Sequence, residues 1–584
     1  MRFFSRKAEK GTPFHTGRSR LFERGYMKNK KNSPVAVVIF LIVMVAIVAG
    51  VLLVNDARQP STDYVDGARY FSIEDSSEAA IIVNGRLTGT KGLVEDGRIF
   101  LPVETVRSTV NPSFYWSEKE EGVLITSPLE IKTCEFGGDG TADALLVDGE
   151  AFVSLDLVRE WSDCKADVYE DPARVVITTV AEMAGVYALE DAVVREDADV
   201  RTDILKDVAG GETLILGDTE DVPNGWVRVT TADGFTGFIS QEQVSSSFSF
   251  DVTLDKNAGD YTHLLSEEKI GLVFHQTTSQ AANDALAGLM EKAQGVNVVA
   301  PTWFYLESAE GEMSSLASES YVTTAHALGL QVWAVANDFD GAVNGTTSTL
   351  EALSTRARRE KIIGRILDEV TLVGADGINL DFENVSEECA PSYLEFIREL
   401  SAECRTRSLV LSVDDYVPTY TRYLDRAEQA RVADYIICMC YDEHHSGDTE
   451  AGSVASLPFV QKGIEETLKE VPSNQLIEAV PFFTRIWDGS GASLTSKAMG
   501  MWEAENYLEE NGMTRNWDNE AGQYYSELLT GDSYIQVWLE DAKSLALKLA
   551  LIREKELAGA AAWKLGLETG EVWPVLADAL SLKS

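Results

Sequence analysis

Histidine, cysteine and, beyond residue 33, basic side chains are scarce in this chain of 584 residues. It has only six histidines and six cysteines, and its formal net charge is −44. An acidic body of this kind repels phosphates, so the sequence argues against nucleic-acid binding. His444 and His445 are adjacent, but no third ligand suggests zinc, so we predict no metal site.

The few cysteines fit an exported protein only loosely. Cys134 with Cys164, and Cys389 with Cys404, are candidate disulfide pairs, but spacing alone does not establish pairing. Cys438-x-Cys440 lies on a predicted strand, where both side chains share one face. That placement favours buried core thiols over a metal or redox pair.

One long apolar run without a charge extends from Val35 to Val54. As a helix it is about 30 Å long, and a strongly basic segment precedes it. The sequence therefore predicts a cytoplasmic tail over 1–33, a single transmembrane anchor over 34–54 and an extracellular catalytic region. A cleaved signal peptide is the alternative, but the length of the run and the lack of a small-x-small site favour a retained anchor.

A polar stretch and an imperfect repeat follow. Residues 55–78 are weakly patterned and typical of a stalk, whereas residues 79–180 repeat themselves, with Ile81–Gly85 echoed by Leu145–Gly149. Each half indicates hairpin, short helix and hairpin. The pattern resembles the small α+β domain named after the N-terminal domain of copper amine oxidases. No histidine cluster accompanies it, so we infer no copper.

Residues 181–248 carry short predicted strands and a Gly-Trp-x-x-Val motif that starts at Gly225. The motif is followed by Asp-Gly-x-x-Gly-Phe at 233–238. Together these segments resemble a bacterial SH3 domain, a barrel that often binds cell-wall peptides. Trp226 is nevertheless more typical of a core residue than of a ligand contact.

From 262 to 580 the pattern changes to strands that alternate with helices, which indicates parallel βα units. Eight strands are predicted, at 270–274, 296–305, 331–336, 377–382, 409–413, 435–439, 477–482 and 559–563. Eight such units fit a (β/α)8 TIM barrel. The long interval at about 488–535 predicts an α+β insertion, whose aromatic residues could wall one side of a cleft.

The fourth predicted strand carries the clearest chemical signal, Asp376-Gly-Ile-Asn379-Leu-Asp381-Phe-Glu383. At the strand period of two, Asn379, Asp381 and Glu383 share one face, opposite three apolar residues. Two carboxylates about 6.6 Å apart disfavour joint ionisation. We therefore expect one of them to donate a proton near neutral pH; the alternative is a strand end whose acids simply face water.

The ends of the other barrel strands add polar and aromatic residues, because such barrels carry their active residues at these ends. The substrate-binding candidates are Asp376, Asn379, Trp303, Tyr305, Asn337, Tyr416, Met439, Asp442, Phe482 and Trp563. Asp338, Asp414, Asp415, Tyr441 and Phe483 fall at the same strand ends. Carboxylates encircled by aromatic rings are typical of a carbohydrate site.

Four segments resemble glycoside hydrolase family 18, and more closely its branch of bacterial cell-wall and spore-cortex lysins. They are the Asp376–Glu383 strand, Met-Cys-Tyr-Asp at 439–442, and Ala-Ala-Trp-Lys-Leu-Gly at 561–566 preceded by Val-Trp-Leu-Glu-Asp at 537–541. Many chitinases have an acid where this chain has Asn379. The wall-lysin branch commonly has asparagine there, so we interpret the amide as a marker of the branch.

The resemblance implies roles for individual residues. Glu383 is the catalytic acid and base, and Asp381 orients the 2-acetamido group of the substrate, whose carbonyl oxygen is the nucleophile. Tyr441 hydrogen-bonds that acetamido group, Asp442 contacts the sugar or positions Glu383, and Trp563 forms the floor of the −1 subsite. This retaining, substrate-assisted mechanism requires neither metal nor cofactor.

The expected partner is peptidoglycan or another N-acetylglucosamine polymer, reached by an enzyme held at the cell membrane. A secreted chitinase accounts for the barrel equally well but does not explain the anchor and the SH3-like segment. A non-catalytic glycan-binding wall protein is the third interpretation. The presence of Glu383 argues against it.

Overall fold

The structure is a computed structural model that describes residues 34–56, 59–137, 142–339, 345–491 and 493–581. The first helix, α1, is Pro34–Asp56, and its described side chains are those of residues 35 and 37–49. The basic tail predicted over 1–33 lies outside the described residues.

The predicted membrane anchor over 34–54 is wrong. A helix needs about 20 consecutive apolar residues to cross a membrane. Among the helices in the described part of the chain, none combines the length and the apolar character that crossing requires. The predicted single-pass location, with the cytoplasmic membrane as partner and the catalytic region outside, is therefore not supported.

The first folded unit contains two sheets and three short helices. Its helices are α2 Gly67–Tyr70, α3 Val103–Thr109 and α4 Leu155–Trp161, and its strands are β1 Glu78–Val83, β2 Arg86–Glu95, β3 Arg98–Pro102, β4 Phe114–Tyr115, β5 Gly122–Thr126, β6 Ile131–Glu135, β7 Ala144–Val147, β8 Glu150–Ser154, β9 Lys165–Glu170 and β10 Ala173–Thr178. One sheet has the order β7-β8-β3-β2-β1-β10-β9, and β4, β5 and β6 form the other. Asn84 and Asp148 have positive φ at the hairpin turns, as their Asn-Gly and Asp-Gly pairs favour.

The second unit is a single seven-stranded antiparallel sheet. Its strands are β11 Glu182–Tyr187, β12 Ala192–Arg195, β13 Ile204–Val208, β14 Thr213–Leu216, β15 Trp226–Thr230, β16 Thr236–Ser240 and β17 Phe248–Asp251, in the order β13-β12-β16-β15-β14-β11-β17. Part of the predicted stalk packs here, since Phe71 is fully buried and its ring lies 4.8 Å from that of Phe235. These two aromatic residues tie the polar stretch to the sheet.

The C-terminal region contains a closed barrel of eight parallel strands. They are β18 Ile270–His275, β19 Val298–Leu306, β21 Gln331–Asn337, β22 Gly377–Asp381, β23 Val410–Tyr416, β24 Tyr435–Met439, β25 Leu476–Pro481 and β31 Gly559–Trp563, and β20 Met313–Ser315 pairs with the outer end of β19. Pairing of β18 with both β19 and β31 closes the barrel. The eight predicted strands and the barrel fold are confirmed.

Helices surround the barrel and cover the apolar faces of its strands. They are α5 Gln280–Asn283, α6 Leu286–Leu289, α7 Glu319–Ala327, α8 Thr346–Leu353, α9 Arg356–Val373, α10 Ala390–Arg407, α11 Arg426–Val432, α12 Leu457–Thr467, α14 Ala542–Glu554 and α15 Val572–Leu580. On β22, Ile378 and Leu380 are fully buried, and the ring of Phe382 stacks on that of Tyr393 in α10. The other face of β22 is thereby directed into the barrel.

An α+β segment is inserted between β25 and β31. It contains β26 Phe483–Ser490, β27 Ser493–Gly500, α13 Met501–Glu510, β28 Asn516–Asp518, β29 Gln523–Thr530 and β30 Ser533–Leu539. The strands form one antiparallel sheet in the order β27-β26-β30-β29-β28. The Met501 N–H donates to the Leu567 carbonyl (2.7 Å), so α13 starts beside the loop that follows β31.

The first unit packs against α9 and α10 through buried polar contacts. Thr126 Oγ1 donates to Glu395 Oε1 (2.6 Å), and Arg359 Nη2 lies 2.9 Å from Glu120 Oε1. We call the side chains at this contact the interdomain charge cluster: Glu120, Arg359, Glu395, Arg398, Glu399 and Glu428. It joins a strand unit and a barrel that are far apart in the sequence.

All six cysteines are buried free thiols. Neither candidate disulfide, Cys134–Cys164 or Cys389–Cys404, is formed. Cys438 and Cys440 lie on β24 and just after it, with their sulfur atoms 3.4 Å apart in the core.

Candidate active site

Glu383 is held in place through both its backbone and its side chain. It lies two residues beyond the end of β22, and its N–H donates to Asp338 Oδ1 (2.8 Å). The N–H of Asn384 donates to Asp338 Oδ2 (3.1 Å), and the Tyr416 hydroxyl donates to Glu383 Oε2. The half-buried carboxyl group therefore has a defined position at the C-terminal end of the barrel.

Asp338 follows β21 and is almost completely buried. Besides the two backbone N–H groups, its carboxylate accepts a hydrogen bond from Thr349 Oγ1 (2.7 Å). Burial raises the pKa of Asp338, and these hydrogen bonds oppose the increase. Asp338 thus connects the end of one barrel strand to the loop that carries Glu383.

Asn379 and Asp381 occupy the inward face of β22 and are buried. The side-chain Nδ2 of Asn379 donates to Ser412 Oγ (3.0 Å) and to Asp414 Oδ1 (2.7 Å), both on β23. Asn379 and Ser412 are direct partners in the parallel ladder. The inward faces of two neighbouring strands are therefore joined by one amide.

Several acids at this end of the barrel are shifted toward the protonated form. Burial raises the pKa of Asp414 well above its usual range, and the charges of Asp415 and Glu383 add to the increase, which the Asn379 hydrogen bond opposes. Burial also raises the pKa of Asp442, against the charges of Arg485 and His445. We call Asp338, Asp381, Glu383, Asp414 and Asp442 the mouth carboxyl cluster. Such a cluster can hold and transfer protons near neutral pH.

Two tyrosines supply neutral hydroxyl donors beside the cluster. Burial, together with nearby acids, raises the pKa of Tyr441 and of Tyr416 far above that of a free phenol. The Tyr441 ring lies 6.1 Å from that of Phe483 in an edge-to-face arrangement. Both phenols therefore remain protonated and able to donate to a substrate or a carboxylate.

The structure places four further predicted residues at the same end of the barrel. Tyr305 is the ladder partner of Asn337, which in turn pairs with Asp381. Met439 ends β24 as the partner of Tyr416, and Trp563 ends β31, half-buried with its ring 5.4 Å from that of Phe274. The Tyr305 hydroxyl donates to the Thr302 carbonyl (2.7 Å).

Three predicted substrate-binding residues lie elsewhere, and their assignment is corrected. Asp376 precedes β22 at its N-terminal end, where its carboxylate contacts His326 (2.9 Å) and the Val332 N–H (2.7 Å). Trp303 is fully buried on the outer side of β19, and its indole N–H donates to Asn283. Phe482 is buried edge-on against Trp573 of α15.

Two of these errors have a local structural cause. β19 contains an irregularity between Thr302 and Phe304 that changes which residues point inward. β25 ends at Pro481, and Phe483 instead of Phe482 turns toward Tyr441.

Asp338 and Asp414 were predicted at strand ends but without a role, and Ser412 and Arg485 were not predicted from the sequence. Strand alternation was the available signal for Asp414. Asp415, its neighbour, points the other way and lies 3.4 Å from Arg426, whereas Ser412 and Asp414 share the inward face.

Comparison with known proteins supports this description of the barrel. Residues 341–568 match the family described as "Glycosyl hydrolases family 18". The chain is similar to the "Putative sporulation-specific glycosylase YdhD" of Bacillus subtilis, with 28% identity over 228 residues, which are 37% of this chain and 53% of that protein.

Two other curated proteins are similar over the same part of the chain. The "Cortical fragment-lytic enzyme" of Bacillus subtilis is 23% identical over 236 residues (39% of this chain, 54% of that protein). "Chitinase A1" of Niallia circulans is 27% identical over 266 residues (37% and 38%). The chain thus spans about half or less of the length of these three relatives. Its C-terminal barrel carries a glycosyl hydrolase family 18 domain.

Proposed function

We propose that the barrel hydrolyses glycosidic bonds in a glycan that contains N-acetylglucosamine. The observation that carries the proposal is the attachment of Glu383 to Asp338 and Tyr416 beside the mouth carboxyl cluster. A general acid must be held within reach of the leaving oxygen and must be able to keep a proton. Glu383 is held from two sides, among acids that resist joint ionisation.

In the proposed mechanism Glu383 first protonates the glycosidic oxygen and then activates water. Asp381 and the Tyr441 hydroxyl orient the 2-acetamido group of the substrate, whose carbonyl oxygen attacks the anomeric carbon. Such substrate assistance retains the anomeric configuration and requires an N-acetylated sugar in the −1 subsite. Asp442 would contact that sugar, and the half-exposed face of Trp563 would stack on it.

Peptidoglycan is the substrate we favour. The resemblance to the lysin branch, including Asn379, and the similarity to a cortical fragment-lytic enzyme support this choice. The two N-terminal units, over 79–180 and 181–248, would then contact the wall, as their resemblance to envelope and SH3 modules suggests. Chitin or chito-oligosaccharide is the second candidate, favoured by the similarity to a chitinase.

The test is to incubate the purified chain with peptidoglycan and, separately, with chitin oligosaccharides, and to identify the products by mass spectrometry. Glu383→Gln keeps the size of the side chain but removes its acid. Glu387→Gln alters an exposed acid of the same loop and serves as the matched control.

Release of muropeptides that end in reducing N-acetylglucosamine, by the unaltered chain and by Glu387→Gln but not by Glu383→Gln, is the expected result. Cleavage of chitin oligosaccharides alone would assign the chitinase activity instead. Binding without products from either substrate would contradict the proposal and indicate a glycan-binding protein.

A further inference from the structure

Asn379 has two side-chain hydrogens on Nδ2, and both are used within the barrel. One donates to Ser412 Oγ and the other to Asp414 Oδ1, at 3.0 and 2.7 Å. The amide has no other donor, since its remaining polar atom is the carbonyl oxygen Oδ1. Oδ1 is buried and has no hydrogen-bond partner among the described residues.

Asp381 follows Asn379 by two residues on the same inward face of β22, and both residues are buried. Its neighbouring amide can offer it only an acceptor oxygen as long as Nδ2 remains attached to β23. An acceptor stabilises the protonated form of a carboxyl group, whereas a donor stabilises the carboxylate. The orientation of the Asn379 amide therefore decides which form of Asp381 it favours.

We propose that Asp414 is a positioning residue that fixes the Asn379 amide with its donor side toward β23, so that, of the two polar atoms of the amide, only the oxygen remains for a contact with Asp381. This inference rests on the proposed function, since it says which residues set the protonation state of Asp381 in the same site. An acid on β23 thereby acts on Asp381 through the amide, although Asn379 itself cannot titrate.

Other titratable groups surround Asp414, and they must be considered in any pH experiment. They are Asp381 and Glu383 from β22 and its loop, Asp415 and Tyr416 on β23, Tyr441 and Asp442 after β24, Asp338 after β21, and Tyr393 on α10. The negative charges of Asp415 and Glu383 both raise the pKa of Asp414. Asp415 faces away from Asn379, toward Arg426 and Gln429.

Three substitutions separate positioning from charge. Asp414→Leu removes the acceptor, so the Asn379 amide can rotate and donate to Asp381. Asp414→Asn keeps an acceptor oxygen for Nδ2 but removes the carboxyl group. Asp415→Asn neutralises an equally buried acid on the same strand that does not touch Asn379, and is the matched control.

The titration of Asp381 is read by infrared difference spectroscopy, with each variant compared with the same variant carrying Asp381→Asn. In Asp414→Leu the midpoint should fall by about one pH unit, the size expected when one donated hydrogen bond stabilises a carboxylate. Asp414→Asn should restore the original midpoint, and Asp415→Asn should leave it unchanged. The pH–rate profile should shift in the same direction, with kcat affected more than KM.

Equal shifts in Asp414→Leu and Asp414→Asn would overturn the proposal, because charge and not orientation would then be responsible. An unchanged midpoint in Asp414→Leu would also overturn it. If Asp414→Leu does not fold, Asp414→Ala removes the same acceptor with a smaller side chain and should lower the midpoint in the same direction; no change there would again refute the proposal. The infrared measurement needs no turnover, so a chain that hydrolyses no glycan would refute the proposed function without deciding this inference.

Discussion

The interdomain charge cluster and the mouth carboxyl cluster are both largely buried, but their acids have different partners. In the interdomain cluster Arg359 lies 2.8 Å from Glu399, and Arg398 lies 3.1 Å from Glu395 and 2.9 Å from Glu428. At the barrel mouth, backbone N–H groups, hydroxyls and an amide donate hydrogen bonds to Asp338, Glu383 and Asp414. Burial alone therefore does not distinguish a structural acid from a functional one.

The effect of partners on the proton affinity of a buried acid is seen by comparing Glu428 with Asp414. Burial would raise the pKa of Glu428, but the hydrogen bonds and charges of Arg431 and Arg398 lower it below its usual value. Burial raises the pKa of Asp414 well above its usual range and the negative charges of Asp415 and Glu383 add to the increase, which the hydrogen bond from Asn379 opposes without reversing it. Pairing with arginine does not lower the pKa everywhere, since burial raises the pKa of Glu399 to about 7 and also raises that of Glu395, against the charges of Arg359 and Arg398. Glu428 and Asp414 are thus two buried acids whose pKa values are shifted in opposite directions.

The largest effect should come from removing a cation of the interdomain charge cluster. Arg359→Met leaves Glu399 and Glu120 buried without their guanidinium group, and breaking a buried pair in this way costs about 3–5 kcal/mol of unfolding free energy. The activity of the folded fraction should stay unchanged. Chemical denaturation measures the loss, with Lys361→Met, an exposed residue of the same helix, as control. A loss no larger than that of the control would show that the cluster does not stabilise the contact.

Asp338→Asn at the barrel mouth should lower the activity but leave the stability nearly unchanged, which is the opposite of the effect expected for Arg359→Met. The amide offers one acceptor oxygen where the carboxylate offers two, so the N–H groups of Glu383 and Asn384 compete for it. Misplacement of the acid should lower kcat by about 10- to 100-fold with little change in the denaturation midpoint. Thr349→Val, which removes only the third donor to Asp338, should have a smaller effect. A variant that loses stability but keeps its kcat would contradict this role.

The sequence predicted the mouth better than the interdomain cluster, for a physical reason. The face of β22 that carries Asn379, Asp381 and Glu383 follows from strand alternation alone, and the eight barrel strands follow from the alternation of apolar segments. Trp303 and Phe482 were misassigned because a strand irregularity and an early strand end change which side chain points inward. The interdomain cluster depends on a contact between distant segments, which no local pattern records.

One acid from each cluster, Glu428 and Asp414, should also give opposite dependences of stability on pH. The lowered pKa of Glu428 contributes stability that is present above its unfolded pKa of about 4.3 and is lost as the pH falls through its folded pKa. The raised pKa of Asp414 contributes stability that is present below about 3.9 and is lost as the pH rises through its folded pKa.

Denaturation at a series of pH values tests this difference. Glu428→Gln should flatten the dependence below pH 4, and Asp414→Asn should flatten it above pH 4. The same slope change in both variants would refute the opposite pKa shifts of Glu428 and Asp414.

The smallest change in rate is expected when the mouth is made more acidic at Asn379. Asn379→Asp adds a carboxyl group between Asp381 and Asp414, without changing the size of the side chain. A new negative charge raises the proton affinity of neighbouring acids, so the pH–rate profile should move toward higher pH. The peak rate should fall less than tenfold, because Glu383 keeps its attachments to Asp338 and Tyr416.

The profile of Asn379→Asp is best compared with that of Asp415→Asn, which changes the charge on the outer face of β23. If orientation and charge on the inward face control the proton balance, only the substitution at Asn379 should move the profile. An unchanged profile for Asn379→Asp would mean that the amide has no part in that balance. The acids of the mouth would then differ from those of the interdomain cluster in their hydrogen-bond partners but not in their part in proton transfer.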